Sequence, residues 1–254
     1  MQHWEILIFF FCIAFVYASV GFGGGSSYLA VLALYPLAFK EIRLIALVCN
    51  IIVVTGGTFI FIRNKQVNWK KIIPLVLASV PMAFLGATRK ISQDTFFVVL
   101  GVSLLAAAVL LWIRTRNRDL DTVGDPGKNI IAKNVLLGGS IGFLSGMVGI
   151  GGGIFLSPLL NLLRWDGPKK IAATASFFIL VNSVSGIAGQ LSQLPADINY
   201  LRILFLCIAV FLGGQLGSRT GAVRFNPLTV RRVTAILVFI AGSEVLWKHL
   251  HLVF

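Results

Sequence analysis

Long stretches of this 254-residue chain run without a single Asp, Glu, Lys or Arg, among them 44–62, 72–88, 95–113, 134–163, 171–192 and 203–218. Several reach the roughly 20 residues that a helix needs to cross about 30 Å of hydrocarbon. A further stretch, 233–247, holds one charge, Glu244. With 57% hydrophobic and only 12% charged residues, the chain could not cover a water-facing surface. It reads as an all-α polytopic membrane protein whose solvent partner is the lipid bilayer.

The net charge of +13 could suggest nucleic acid. Lys and Arg, however, cluster in short connections between apolar segments, as membrane orientation requires, and no soluble basic domain exists to hold a polynucleotide. No nucleic-acid partner is expected. Cys12, Cys49 and Cys207 lie in apolar segments without paired spacing, so they read as small buried hydrophobes and not as disulfides or metal ligands. No cofactor or metal is implied. The first apolar stretch has Val16 and Ala18 at a cleavage-like spacing, yet "MQHWE" lacks the basic residues of a signal peptide and the stretch recurs internally, so we expect it to be structural.

The recurrence is extensive. "VGFGGGSSYLAVLALY" matches "VGIGGGIFLSPLLNLL". A short basic turn follows each ("FKEIR", "GPKKI"), then a segment reaching Gly57 or Gly186, then "NWKKI" or "NYLRI", then a third segment holding Gly86 or Gly217, then a closing apolar helix. This divides the chain into a first half at 1–113, a polar linker at 114–133 with a turn at Asp125-Pro126-Gly127, and a second half at 134–254. Internal duplication of this kind is common in transporters.

Residues 5–35 would span about 46 Å as one straight helix, more than the bilayer core requires. Either each glycine-bearing segment is a broken full crossing, giving eight crossings and parallel halves, or each is a re-entrant hairpin that turns near the midplane. In the second case each half adds three transmembrane helices and the halves are inverted, with eight membrane-inserted segments in all. Eight crossings divide the 22 Lys and Arg evenly. Re-entrant hairpins put 16 of them on the side of loops 63–71, 114–133, 164–170 and 219–232, leaving Lys40, Arg43, Arg89, Lys90, Arg202 and Lys248 opposite. The positive-inside rule favours that arrangement, with the linker in the cytoplasm and both termini outside.

Irregular backbone survives at membrane depth only where protein or a water-filled cavity surrounds it. After each glycine run the sequence restarts a helix, with Ser26 or Ser27 as the expected N-cap in the first half and Ser157 before Pro158 in the second. Two helices starting near the midplane would point unpaired N–H groups inward, and helix N-termini bind anions. The expected site holds a small anionic substrate between Gly23, Gly24, Gly25, Ser26 and Ser27 on one side and Gly151, Gly152, Gly153 and Ser157 on the other. "GFGGGS" is no dinucleotide fingerprint, because Ser26 stands where the third glycine belongs and Ile154 does so in the repeat.

The paired "GFGGGS…LAVLALY" and "GIGGGIFLSPLL", the "KKIAATASFFILVNSVSG" stretch and "FLGGQLGSRTG" together resemble the sulfite exporter TauE/SafE family of membrane permeases, over nearly the whole chain. The resemblance implies a carrier that moves sulfite, sulfonates and related organic oxyanions across the bacterial cytoplasmic membrane. The first half departs from the pattern: "RLIALVCNIIVVTGG" lacks the small hydroxyl cluster of its partner, and "GATRK" is a reduced form of "GSRTG". The two halves are therefore expected to contribute unequally.

Thr174, Ser176, Asn182, Ser183 and Gln190 share one membrane segment, and Asn50 and Thr55 lie in its counterpart. Asn50, Thr174, Ser176 and Asn182 join the glycine turns as expected substrate-binding residues, with Thr174 and Ser176 foremost. Ala209, Gly213, Gly217 and Gly221 recur every fourth residue and read as a helix-packing face. Arg89 and Arg219 read as interfacial residues, and Glu244, ahead of Trp247 and Lys248, as a helix-end residue. The only histidines, His3, His249 and His251, lie near the termini, so a buried Ser–His pair, and with it an enzyme, is not expected. Coupling is open between a co-transported proton carried by the anion itself and flow of the anion down its own gradient.

Overall fold

The computed structural model describes residues 4–19, 22–116, 130–191 and 198–224, and, in a closing segment, 232, 235–236, 238–240, 242–243 and 245–247. Most of the linker, Glu244 and the three histidines lie outside the described residues. Nine helices precede the closing segment: α1 (Glu5–Ala18), α2 (Gly25–Leu32), α3 (Phe39–Arg63), α4 (Trp69–Thr88), α5 (Gln93–Arg116), α6 (Ile130–Val148), α7 (Gly153–Leu162), α8 (Pro168–Gln190) and α9 (Tyr200–Arg224). Helices α3, α4, α5, α6, α8 and α9 are each long and apolar enough to cross a membrane. Large apolar side chains such as Phe59, Leu77, Leu136 and Phe211 face outward from them. The chain is a multi-pass, all-helical membrane protein.

Each glycine run breaks the helix and turns the chain back. At the first, the Phe22 N–H reaches back to the Tyr17 carbonyl at 2.9 Å; at the second, the Ile150 N–H reaches the Ser145 carbonyl at 3.3 Å. The bonds span the same five residues, closing each helix as a left-handed glycine cap does. The chain then folds along the helix it has left. Tyr28 of α2 stacks on Phe10 of α1 with ring centroids 4.6 Å apart. Past α7, the Trp165 indole donates to Asn134 Oδ1 at the start of α6, 2.8 Å away. α7 therefore ends at the end of the molecule where α6 begins.

Lipid supplies no hydrophobic drive between helices, so close backbone packing takes its place. A Cβ at Gly138, Gly142 or Gly146 of α6 would run into the carbonyl oxygens of Leu75, Ser79 and Ala83 of α4. Gly213 and Gly217 of α9 abut Phe11 and Phe15 of α1 in the same manner. Gly213 and Gly217 of the expected face on α9 thus pack closely, and their partner is a helix of the other half; Gly221's surroundings lie outside the described residues. Residue numbers rise together across both interfaces, so α4 runs parallel to α6 and α1 to α9. The middle pair behaves differently. Gln190 of α8 donates to the Lys40 carbonyl of α3 at 2.6 Å, Gly186 faces Leu47, and Ser176 bonds Thr58 at 2.9 Å. α3 and α8 are antiparallel.

Candidate functional site

The two helices that follow the glycine runs start on glycine and not on serine. Gly24 is the N-cap of α2 at φ 86° and Gly152 that of α7 at φ 82°, both left-handed, and no side chain caps either helix. The expected caps are therefore corrected: Ser26 and Ser27 lie in the first turn of α2, and Ser157 and Pro158 lie inside α7. The reversal itself needs a positive φ immediately before the helix, which glycine adopts at little cost and serine does not. In α2 the first intrahelical bond runs from the Tyr28 N–H to the Gly24 carbonyl at 3.0 Å, so the N–H groups of Gly25, Ser26 and Ser27 stand ahead of the ladder. In α7 those of Gly153 and Ile154 do the same.

Both starts border one hollow. Its walls are Tyr17, Phe22, Gly23, Gly24, Gly25, Ser26 and Asn50 from the first half and Ile150, Gly153, Ile154 and Ile179 from the second. The space open to the centre of a water-sized sphere is about 10 Å³, room for one water. The site is small. It lies at the middle of the long helices, since Asn50 and Ile179 are each the twelfth residue of α3 and α8.

Asn50 joins the two turns. Fully buried on α3, it donates from Nδ2 to the Ile150 carbonyl at 2.9 Å, while Gly23 and Gly25 of the first turn press against its amide. A Cβ on Gly151 would lie 2.9 Å from the same Nδ2. Any side chain at those glycines would displace the amide. Ser27, one residue past the lining Ser26, bonds Tyr17 through the two hydroxyls at 2.6 Å, tying α1 to the start of α2.

Arg43 was grouped above with the connections, but it is 1% exposed. Its Nη2 donates to the Gly146 carbonyl at 2.8 Å, at the C-terminal end of α6, and its stem lies against Gly149 of the second turn. No carboxylate bonds it among the described residues. Arg43 and Asn50 are seven residues apart and so share a face of α3. A buried guanidinium against the second turn favours a negative charge nearby. The seven-residue spacing in "RLIALVCN" was the available signal, overlooked because Arg43 sits near a helix end.

The other expected residues are distributed as follows. Gly23, Gly24, Gly25, Ser26, Asn50 and Gly153 line the hollow; Gly151 and Gly152 form the second turn directly behind it. Ser176 bonds Thr58 between α3 and α8. Thr174 is buried with its hydroxyl unpaired, away from the lining. Asn182 donates to the Phe178 carbonyl of its own helix. Ser157 is buried inside α7. Sequence reasoning missed Tyr17, Phe22, Ile150, Ile154 and Ile179, because nothing marks an apolar residue in an apolar segment as a cavity wall.

The family profile "Sulfite exporter TauE/SafE" matches residues 6–245. The chain is 30% identical over 242 residues to a probable membrane transporter protein, y4hK, of Sinorhizobium fredii, covering 95% of this chain and 97% of that one. It is 24% identical over 216 residues to the probable membrane transporter protein YunE of Bacillus subtilis, 78% of each chain. It is also 24% identical over 251 residues to a probable membrane transporter protein of Haemophilus influenzae, 92% of each chain. No solved structure matches. The names point to a transporter and not to an enzyme.

Proposed function

Because the chain belongs to the sulfite exporter TauE/SafE family, we propose that this membrane transporter exports small oxyanions, sulfite, sulfonates or related organic acids, across the bacterial cytoplasmic membrane. One observation carries the reading: two helix starts, each capped by a left-handed glycine and by no side chain, border one small hollow with Asn50 between them. Partial positive charge from both starts converges where an anion would sit. The binding set is the two glycine turns (Gly23, Gly24, Gly25, Gly151, Gly152, Gly153), Ser26, Ser27 and Asn50, with Ser157, Thr174, Ser176 and Asn182 as the surrounding polar shell and Arg43 added as a nearby positive charge.

In this reading α1–α2 and α6–α7 are re-entrant hairpins entering from opposite leaflets, and the halves are an inverted repeat. The antiparallel run of the equivalent helices α3 and α8 supports it, as does the return of α7 to the start of α6. Parallel halves would make α3 and α8 run the same way. Both termini then lie outside and the linker lies in the cytoplasm. A hollow with room for one water must open alternately to each side for an anion to pass.

The test is flux from liposomes holding the purified protein and loaded with labelled methanesulfonate, sulfite or small carboxylates. Efflux above that of empty liposomes for at least one oxyanion is expected. Efflux equal to empty liposomes for all of them would refute the reading. Tags at both termini should react from outside intact spheroplasts, and cytoplasmic tags would refute the inverted topology.

A further inference from the structure

Asn50 bears on which oxyanion the hollow accepts. Its Nδ2 is committed to the Ile150 carbonyl at 2.9 Å, and this bond sets the amide's orientation, because the reverse would bring two acceptors together. Oδ1 then lies on the Gly23 side, at the wall of the hollow, fully buried and without a hydrogen-bond partner. Donors stand around that space: the N–H groups of the two helix starts and the Ser26 hydroxyl. Among the described side chains lining the hollow, Asn50 Oδ1 is the unmet acceptor.

A fully deprotonated oxyanion brings acceptors alone and would set an oxygen against Oδ1. An oxyanion that keeps one O–H meets both requirements. Resting on the transport reading above, we propose that the site selects monoanionic oxyacids carrying one O–H, which donates to Asn50 Oδ1 while the helix starts hold the deprotonated oxygens. The proton then crosses bound to its anion. The ionisable groups near Asn50 are Tyr17 on α1, Tyr28 on α2, Arg43 and Cys49 on α3, and Cys207 on α9. Among the described residues none of these is a carboxylate or a histidine, so the substrate itself is taken as the proton's carrier. A site built to pair a substrate hydroxyl discriminates strongly against the analogue that lacks it, because its own polar group is left unpaired.

The test uses two nearly isosteric probes on the intact protein in liposomes. Methylphosphonate near pH 6 is a monoanion with one P–OH; methanesulfonate is a monoanion with none. At pH 6, methylphosphonate should inhibit labelled methanesulfonate flux about tenfold more strongly than unlabelled methanesulfonate does, a ratio equivalent to about 1.4 kcal/mol. In Asn50→Leu the ratio should fall to about one. At pH 9, where methylphosphonate is a dianion, its inhibition should weaken further while methanesulfonate flux stays level. Equal inhibition by both probes in the native protein at pH 6 would overturn the proposal, as would a tenfold preference that survives in Asn50→Leu. If Asn50→Leu does not insert, Asn50→Ser, with a hydroxyl that can still accept, should keep part of the preference, and its total loss there would count against the proposal. Methanesulfonate flux without a methylphosphonate preference sinks this inference alone; no flux of any oxyanion sinks the transport reading with it.

Discussion

The two halves build the same turn and line it differently. Gly23 and Gly25 of the first turn press on Asn50, and Gly151 and Gly153 of the second press on Ile179. One helical turn further on, Gly23 also meets Val54 where Gly151 meets Ser183. Equivalent glycines thus face amide and valine in one half, and isoleucine and serine in the other, where Gly151 also meets the same Asn50 amide. The difference teaches what the repeat holds in common and what it leaves to vary. Backbone geometry must match, because two helix starts have to reach one point. The side chains behind the turns need not match, because a single amide already bridges both turns through the Ile150 carbonyl.

The largest effects should come from the shared geometry. Gly152→Leu forces a branched side chain into a left-handed φ and against Phe178, Ile141 and Ser145. Gly24→Leu does the same against Tyr28 and Ile13. Both variants should lose oxyanion flux to the level of empty liposomes while still inserting in the membrane. Transport surviving in one of the two would break the symmetry of the comparison, showing that one helix start suffices.

The next effect separates the halves. Asn50→Ile should lower methanesulfonate flux by roughly tenfold, because the bridge to Ile150 is lost and its carbonyl is left without that donor. Ile179→Asn alone should cost less, as Ile179 bonds to nothing. If the hollow is close to two-fold symmetric, the double variant with Asn50→Ile and Ile179→Asn should regain part of the flux, the new amide lying against Gly151 and Gly153. No recovery in the double variant would show that the asymmetry is fixed by the surrounding helices.

Much of this was legible along the chain, and for physical reasons. Charge-free stretches report helices in lipid, and a glycine run inside one reports a break, so the interruptions between α1 and α2 and between α6 and α7 were foreseen. Asn50 was picked out because an amide in a membrane segment needs a partner. Helix starts were misplaced at Ser26, Ser27 and Ser157 because capping rules presume that the chain can afford an ordinary φ before the helix, and here the reversal takes that position. Thr174 and Ser176 drew the attention that Ile179 earned, since hydroxyls look functional and isoleucine does not. The pairings α1 with α9 and α4 with α6 join opposite halves, a long-range fact that no local spacing carries.

Those pairings offer a third, smaller test. On α6 Gly138, Gly142 and Gly146 face α4, and Gly86 of α4 faces α6 in return, whereas in the equivalent interface Gly213 and Gly217 of α9 face α1. Gly142→Leu should destabilise the protein by about 1–3 kcal/mol through overpacking against Ser79. Gly213→Leu should do so by a similar amount against Phe11 and Ala14. Unfolding in mixed detergent micelles measures both. A large loss at one interface with none at the other would show that the two halves are held together unequally.

The smallest difference expected is at the two ends of the molecule, where equivalent residues starting α4 and α9 make equivalent ion pairs. Lys71 reaches Asp166 at 3.3 Å, ahead of α8, and also lies 5.1 Å from the centre of the Trp165 ring. Arg202 reaches Glu41 at 3.0 Å in the first turn of α3. The first pair is the better enclosed, with side chains 20% and 8% exposed against 32% and 10%. Burial pushes the Asp166 carboxyl up, but the Gly167 N–H, the Asn68 amide and the Lys71 ammonium together hold it below the usual carboxylate range. A carboxylate depressed in the folded state adds stability that is complete above its unfolded value, about 4, and is lost as pH falls through the folded value. Asp166→Asn should therefore be less stable than the native protein at pH 6–7, and the gap should close as pH drops below about 4. Arg202→Met should cost less than about 1 kcal/mol, as a partly exposed pair does. A gap for Asp166→Asn that stays constant down to pH 3 would mean that the charge of the carboxylate contributes nothing to stability, and would make the two ends alike after all.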